Sequence, residues 1–138
     1  MQIREYSALP DEAKLIRREV FIDEQGFEDE FDSIDKTATH IVLFDGQTPA
    51  GVCRVFTDPD TARLTVGRVA VRKSFRGRGF GTELMKAAHS FAARSGAEEI
   101  WLHSQEQAVG FYASLGYEPV GELDYEEGCP HRWMRKKI

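Results

Sequence analysis

A change of side-chain alternation inside one predicted strand constrains the fold of this chain more than any other feature. Apolar residues fall on even positions at Leu64 and Val66 but on odd positions at Val69 and Val71. Successive side chains of a strand point to opposite faces, so the parity can change only where an extra residue is inserted. We therefore predict a β-bulge at positions 67–68, which would bend the strand and leave backbone groups unpaired.

A glycine-rich segment leads from this strand into a helix. We predict that the helix begins at Gly79 or Gly81 and ends near Arg94, because Leu84 and Ala88 recur at helical spacing. The first turn of a helix carries backbone N–H groups without intrahelical partners and the positive end of the helix dipole. A phosphate or another anion binds readily at such a position.

The composition of this segment suits a phosphate. Its sequence is Arg76-Gly77-Arg78-Gly79-Phe80-Gly81. Glycine lets a ligand approach the backbone closely, and arginine can add charge-assisted hydrogen bonds. Neither the Gly-x-Gly-x-x-Gly of a dinucleotide-binding fold nor the Gly-Lys-Ser/Thr of a P-loop is present. A flexible turn without a ligand is the alternative interpretation.

The remaining periodicities predict an α/β domain with a mixed sheet and helices on both faces. Its central part contains a strand–helix–strand crossover, which is right-handed in nearly all proteins. The other predicted elements are a strand over 1–6, a helix from 10 or 11 to 24, strands over 38–44, 50–56 and 99–103, a helix over 105–115, and strands over 117–123 and 132–136. In the helix over 105–115, Phe111 is expected to face the core. We expect residues 1–138 to form a single domain.

Composition argues against several classes of function. The net charge of -5 disfavours general nucleic-acid binding, and the sequence has no apolar stretch of about eighteen residues that predicts a membrane span. Because the N-terminus lacks the pattern of an export signal, we expect a cytoplasmic protein with Cys53 and Cys129 as free thiols. The cysteines lack zinc-site spacing, so we expect no metal. Seven carboxylates occupy positions 23–35, which we call the acidic loop.

Two motifs in this order resemble the GNAT N-acetyltransferase superfamily. Arg76-x-x-Gly79-x-Gly81, placed after the strand 69–71, resembles its acyl-CoA signature, and Phe111-Tyr112-x-x-Leu115-Gly116-Tyr117 resembles its second motif. Three shorter segments are similar to the ElaA/YjcF-type subgroup: residues 20–25, 67–71 and 128–131. The resemblance covers nearly the whole chain and implies a mostly antiparallel sheet of six or seven strands, with the bulge in the central CoA-binding strand.

The resemblance implies an acyl-CoA-dependent N-acyltransferase that moves an acetyl group from acetyl-CoA to a primary amine, by direct attack in a ternary complex. The CoA pyrophosphate would lie on the amides of 76–82, and pantetheine would pair with the bulged strand, where the Val69 amide could polarise the thioester carbonyl. The implied CoA-binding residues are Val69, Ala70, Val71, Arg76, Gly77, Arg78, Gly79, Phe80, Gly81, Thr82, Gln105 and Tyr112. Gln105 stands where many relatives have asparagine, which leaves its contact with the cofactor tail in question.

Two residues are candidates for proton transfer. The resemblance makes Tyr112 the general acid, or a hydrogen-bond donor, for the CoA sulfur, and a core aromatic is the alternative. An alkylamine with a pKa near ~10.4 is protonated at neutral pH, so a base is needed. His131 is our candidate because histidine titrates near neutral pH, and a turn histidine bonded to backbone is the alternative. A water chain could also serve, and Glu24 and the acidic loop are second candidates, either as the base or as a binding site for a cationic acceptor; a solvated loop is the alternative for them. We assign no role to His40, His89 or His103.

The acceptor is a small-molecule amine in our first interpretation, although amino acids, amino sugars and protein lysines also fit the sequence. The residues expected to contact it are Glu24, Arg54, Arg68, Cys129 and His131. A homodimer is compatible with the sequence. Two other functions are retained at this point: a CoA-binding module without catalysis, and a protein-interaction module that uses the acidic loop.

Overall fold

A computed structural model describes residues 1–27 and 31–138, so that Glu28, Asp29 and Glu30 of the acidic loop lie outside the described residues. Within the described residues, one sheet contains eight strands. The strands are β1 (Gln2–Tyr6), β2 (Thr39–Asp45), β3 (Thr48–Thr57), β4 (Leu64–Val71), β5 (Glu99–Gln105), β6 (Glu118–Pro119), β7 (Asp124–Glu126) and β8 (Cys129–Lys137). The α-helices are α1 (Asp11–Arg17), α2 (Phe80–Arg94) and α3 (Val109–Ser114).

The strands follow the order β1-β2-β3-β4-β5-β8-β6, and β7 also pairs with β8. Only β4 and β5 pair in parallel among the described strands. The predicted mixed, mostly antiparallel sheet is therefore confirmed. The strand expected over 117–123 is divided: within it only Glu118–Pro119 is a strand, because Pro119 has no amide to donate and Gly121 turns the chain at a φ of 80°, and β7 follows beyond it at Asp124–Glu126. This division raises the predicted six or seven strands to eight.

The alternation of β2 explains why helices lie on both faces of the sheet. Val42 and Phe44 pack in one buried cluster with Ile16 of α1. Ile41 and Leu43, on the opposite side of the same strand, pack in a second cluster with α2. Both faces of the central strands are thereby removed from water, and their apolar area is the main source of stability.

The first predicted helix changes its winding halfway. It is α-helical to Arg17 and π-helical over Arg18–Glu24, where the Gln25 amide donates to the Val20 carbonyl at 3.1 Å. The wider turn buries both Val20 and its neighbour Phe21. Single π-turns of this kind occur often at functional sites.

The predicted bulge in β4 is confirmed. Val52 of β3 lies opposite Ala70, whereas Arg54 lies opposite Gly67, so one residue of β3 faces two residues of β4. Arg68 in the bulge has a φ of 50°, which is unusual for a residue with a side chain.

The helix expected over 105–115 begins later and presents a different face. Gln105 is the last residue of β5, a 3-10 turn covers Glu106–Ala108, and α3 follows. Phe111, expected in the core, is 38% exposed, while Tyr112 is only 9% exposed. The Tyr112 ring packs edge-on against Tyr117, with centroids 6.0 Å apart, and thereby occupies the core position. No described helix is long and apolar enough to cross a membrane.

Candidate active site

A cleft opens where β4 and β5 separate. These parallel neighbours share a single register pair, Thr65 with Trp101. Beyond this pair the strands enclose a cavity of about 620 Å³. The side of β4 that faces β5 therefore exposes backbone N–H and C=O groups next to the bulge. An extended ligand can pair with such groups as an added strand does.

Several elements supply the walls of this cleft. The bulge contributes Gly67, Arg68 and Val69, and the end of β5 contributes residues 102–105. The remaining site residues in the lining come from other elements: Phe21 from the π-turn, Tyr112 from α3 and His131 from β8. An adjoining cavity of about 840 Å³ shares part of its lining with the cleft, and Cys129 lines it as well.

The glycine-rich loop, residues 76–81, joins β4 to the N-terminus of α2. Gly77 and Gly79 both have a φ of 78°, a conformation that favours glycine. No side chain caps the first turn of α2. A Cβ on Gly81 would lie 3.3 Å from Cζ of Phe111, so the space above the first turn is limited. The loop thus presents uncapped amides that fit a phosphate group.

The two arginines of this loop are held by carboxylates. Arg76 donates to both oxygens of Glu24 at 2.6 and 2.8 Å, and its Nε donates to the Val71 carbonyl at 2.9 Å. The hydrogen bonds from Arg76 lower the pKa of Glu24. Arg78 donates to Asp45 at 3.1 Å. Glu24, expected at the acceptor, lines neither cavity and lies at the glycine-rich loop instead.

Tyr112 combines a buried ring with an available hydroxyl. Burial raises the pKa of this phenol, so the group remains protonated and can donate. Among the described residues, none hydrogen-bonds to the Tyr112 hydroxyl, whereas the hydroxyl of neighbouring Tyr117 lies 2.7 Å from Nε2 of His89. Tyr112 therefore belongs both to the hydrophobic core and to the lining of the cleft.

His131 is buried, and one of its ring nitrogens is committed to the backbone. Nδ1 lies 2.8 Å from the Cys129 carbonyl oxygen, which can only accept, so Nδ1 carries a proton and donates. In the neutral ring Nε2 is then an acceptor. It lies 3.7 Å from Oε2 of Glu126 on the adjoining β7.

His103, for which we expected no role, lies at the centre of this site. Its ring stacks between those of His131 and Trp133, with centroids 4.8 and 4.9 Å away. Its Nε2 is 2.6 Å from Asp124 and its Nδ1 is 3.5 Å from Glu126. Burial disfavours its charge, but the two carboxylates outweigh this effect and raise the pKa of His103.

Glu126 is the carboxylate that joins the two histidines. The hydrogen bond from His103, together with the positive charge of Arg68, lowers the pKa of Glu126 to about 2. Glu126 is therefore ionised throughout the neutral range. The sequence offered one signal for this group: His103 and Gln105 alternate on one face of β5, opposite Trp133 and His131 of β8.

A chain of buried ion pairs supports one wall of the cleft. Nη1 of Arg54 donates to Asp32 at 2.6 Å and to Asp35 at 2.9 Å, and Arg17 donates to Asp35 at 2.7 Å. Burial opposes the charge of Asp35, but the two arginines prevail and hold the pKa of its carboxyl at about 2. Arg68 pairs with Asp32 at 3.5 Å. Of the residues expected at the acceptor, Arg54 and Arg68 thus line the cleft but face carboxylates of the chain.

No three described His, Cys, Asp or Glu side chains form a group that could hold a metal ion.

Comparison with known proteins agrees with this architecture. Residues 8–138 match the model of the acetyltransferase (GNAT) domain. The chain is 38% identical over 128 residues to the uncharacterized N-acetyltransferase YjcF of Bacillus subtilis, covering 91% of this chain and 90% of that protein. Escherichia coli ElaA superposes with a TM-score of 0.86 at 25% identity, covering 99% of both chains. An acyl-CoA N-acyltransferase from Pseudomonas aeruginosa superposes with a TM-score of 0.84 at 24% identity, again over 99% of each chain. The chain therefore belongs to the GNAT family, in its ElaA/YjcF-type subgroup, and is an acyl-CoA-dependent N-acyltransferase.

Proposed function

We propose that the protein transfers an acetyl group from acetyl-CoA to a primary amine bound in the cleft, by direct attack in a ternary complex. The observation that carries the proposal is that backbone of the bulge, the Tyr112 hydroxyl and the buried His131 line one cavity. Direct transfer needs three groups: one that stabilises an oxyanion, a proton donor and a base. The backbone of the bulge, the Tyr112 hydroxyl and His131 can fill these roles in that order.

The acyl donor fits the residues that surround the opening. The pyrophosphate would bind the amides of 76–82 because the first turn of α2 lacks a side-chain cap and its glycines leave room. Pantetheine would pair with the backbone of Val69 and Val71, while Ala70 between them packs its side chain on the α1 side and directs its backbone groups towards Val52 of β3. Bound acetyl-CoA supplies the thioester carbonyl that the amine attacks. Gln105 lines both cavities and donates to Gln25 at 2.8 Å, close to the pantetheine path.

The residues of the chain then divide the proton transfers between them. The Val69 amide polarises the carbonyl oxygen, and Nε2 of His131 takes a proton from the incoming ammonium group. The neutral nitrogen attacks, the carbon–sulfur bond breaks, and the Tyr112 hydroxyl donates a proton to the departing thiolate. The nitrogen, now bonded to the acetyl carbon, gives up its second proton, which restores the Tyr112 phenol, and His131 releases the first proton to solvent. Arg68 and Cys129 border the space for the acceptor, in the cleft and the adjoining cavity respectively.

Two measurements on the purified protein test this proposal. CoA at 100 times its dissociation constant should stabilise the folded state by about 2.7 kcal/mol in a thermal-shift experiment. Thiol release from acetyl-CoA should depend on an added primary amine. Stabilisation without amine-dependent thiol release would indicate a CoA-binding module without catalysis, and the absence of both would refute the proposal.

A further inference from the structure

The cleft carries carboxylates in excess where the acceptor amine would lie. Four carboxylates and two arginines line it among the described residues: Asp32, Asp58, Glu126, Glu127, Arg54 and Arg68. Both arginines already face Asp32, and Arg54, which is 3% exposed, also binds Asp35. Both arginines that line this wall thus have a carboxylate partner within the chain.

The opposite wall is the turn of the β7–β8 hairpin, where Glu126 and Glu127 line the cleft. Glu126 contacts the ring of His103, and Arg68 and His131 also lie near it. The turn therefore presents two carboxylates to a cation that enters the cleft.

A specific position for an ammonium group exists between Glu126 and His131. Oε2 of Glu126 and Nε2 of His131 are 3.7 Å apart, and both are acceptors when His131 is neutral. A primary ammonium group has three donors and can contact both acceptors at once. The carboxylate would hold the cation while the adjacent ring nitrogen takes its proton.

The walls around this position are aromatic. Among the described residues, six aromatic side chains line the cleft: Phe21, Phe27, Phe31, Phe56, Tyr112 and Trp133. Aromatic faces attract cations and bury apolar groups, so they suit the carbon skeleton of an amine.

The geometry points to an acceptor that is a cationic arylalkylamine or alkylamine without a carboxylate on the carbon that bears the amine. This inference rests on the proposed function and names its substrate class. An α-carboxylate would lie within a few ångströms of Glu126 whenever the amine contacts that residue. Like charges at this distance in a partly buried site repel each other strongly. Amino acids should therefore be poor acceptors compared with the amines formed by their decarboxylation.

Matched pairs of acceptors test the inference. The pairs are phenylethylamine with phenylalanine, tyramine with tyrosine, and tryptamine with tryptophan, whose members differ only in the α-carboxylate. We expect kcat/KM for acetylation to be at least tenfold higher for each amine than for its amino acid. Equal or higher values for the amino acids would overturn the inference while leaving the proposed function intact.

Two variants locate the cause of the preference. Glu126→Gln should reduce the ratio of the two kcat/KM values at least threefold, because the repelling charge is gone while the shape is kept. Glu122→Gln, at an exposed position outside the cleft, should leave the ratio unchanged. A ratio unaffected by Glu126→Gln would contradict the position that we infer for the ammonium group.

Binding to the complex of the protein with CoA separates this inference from the proposed function. Calorimetric titration with each member of a pair requires no turnover. Tighter binding of the amine without acetylation of any acceptor would refute the acetyltransferase proposal but support the inferred site. Binding of neither member, or preference for the amino acid, would refute the inferred site.

Discussion

The protonation of two side chains decides how this site can work. Tyr112 keeps its proton because burial raises the pKa of its phenol, and in the neutral ring of His131 Nε2 is the acceptor because Nδ1 donates to a backbone carbonyl. A donor and, when His131 is neutral, an acceptor are thus present in one cleft. This is the arrangement that direct attack on a thioester requires.

Tyr112→Phe tests the donor. Loss of the hydroxyl should lower kcat by on the order of a hundredfold while CoA binding is retained, since the ring still fills the same space. Tyr117→Phe is the matched control because the hydroxyl of Tyr117 bonds to His89 outside the cleft. That variant should keep its turnover and lose roughly 1 kcal/mol of stability. Unchanged kcat in Tyr112→Phe would remove this residue from the chemistry.

His131→Gln tests the base. A general base makes kcat/KM fall at acid pH, so the variant should lose this dependence together with on the order of 10²-fold of rate. His89→Gln removes an imidazole outside the cleft and should keep the profile of the wild type. A variant that retained the acid limb would show that another group is the base.

At the scale of secondary structure, the most informative elements are the bulged strand β4 and helix α2. The bulge and the start of α2 were predictable because parity and glycine spacing act locally along the chain. The π-turn over Arg18–Glu24 was not predictable, since its winding depends on burying Val20 and Phe21 against the sheet. His103 was missed for a similar reason: its partners Asp124 and Glu126 lie on a hairpin more than twenty residues away.

Gly81→Trp tests the role of α2. A side chain at this position meets the ring of Phe111 and would cover the uncapped amides, so CoA should no longer stabilise the protein. Gly110→Trp places the same bulk at an exposed helical position with open space around its Cα, and should preserve the stabilisation. Thermal shifts with and without CoA, together with circular dichroism of each free variant, measure binding and folding separately. Full stabilisation of a folded Gly81→Trp protein would contradict the proposed phosphate position.

For the whole molecule, the buried ion pairs connect parts of the chain that are far apart in sequence. Asp35 joins Arg17 of α1 to Arg54 of β3, and Arg54 in turn binds Asp32. From the sequence, the acidic loop was expected to attract cationic ligands or solvent. Instead, Asp32 and Asp35, two of its described carboxylates, pair with the buried arginines Arg54 and Arg17, a pairing that no local pattern in the sequence specifies.

These ion pairs should make the free energy of unfolding depend on pH in the acid range. The pKa of Asp35 is about 2 in the folded protein against 3.8 for an ordinary aspartate, so its ionised form stabilises the fold above about pH 4. As the pH falls through 2 the carboxyl is protonated and about 2 kcal/mol of stabilisation is lost. Urea unfolding of the wild type at about pH 5 and at about pH 2 measures this loss of stability.

Asp35→Asn assigns this dependence to one group. The variant leaves Arg17 and Arg54 without their common carboxylate, so it should be less stable by roughly 3 kcal/mol at neutral pH. It should also show a smaller loss between about pH 4 and pH 2, because the titrating group is absent. Asp60→Asn removes an exposed carboxylate from the turn before β4 and should reproduce the wild-type curve. If the unfolding free energy of Asp35→Asn fell with pH as steeply as that of the wild type, other carboxylates would cause the loss. Glu126 beside His103 would then be the next residue to replace.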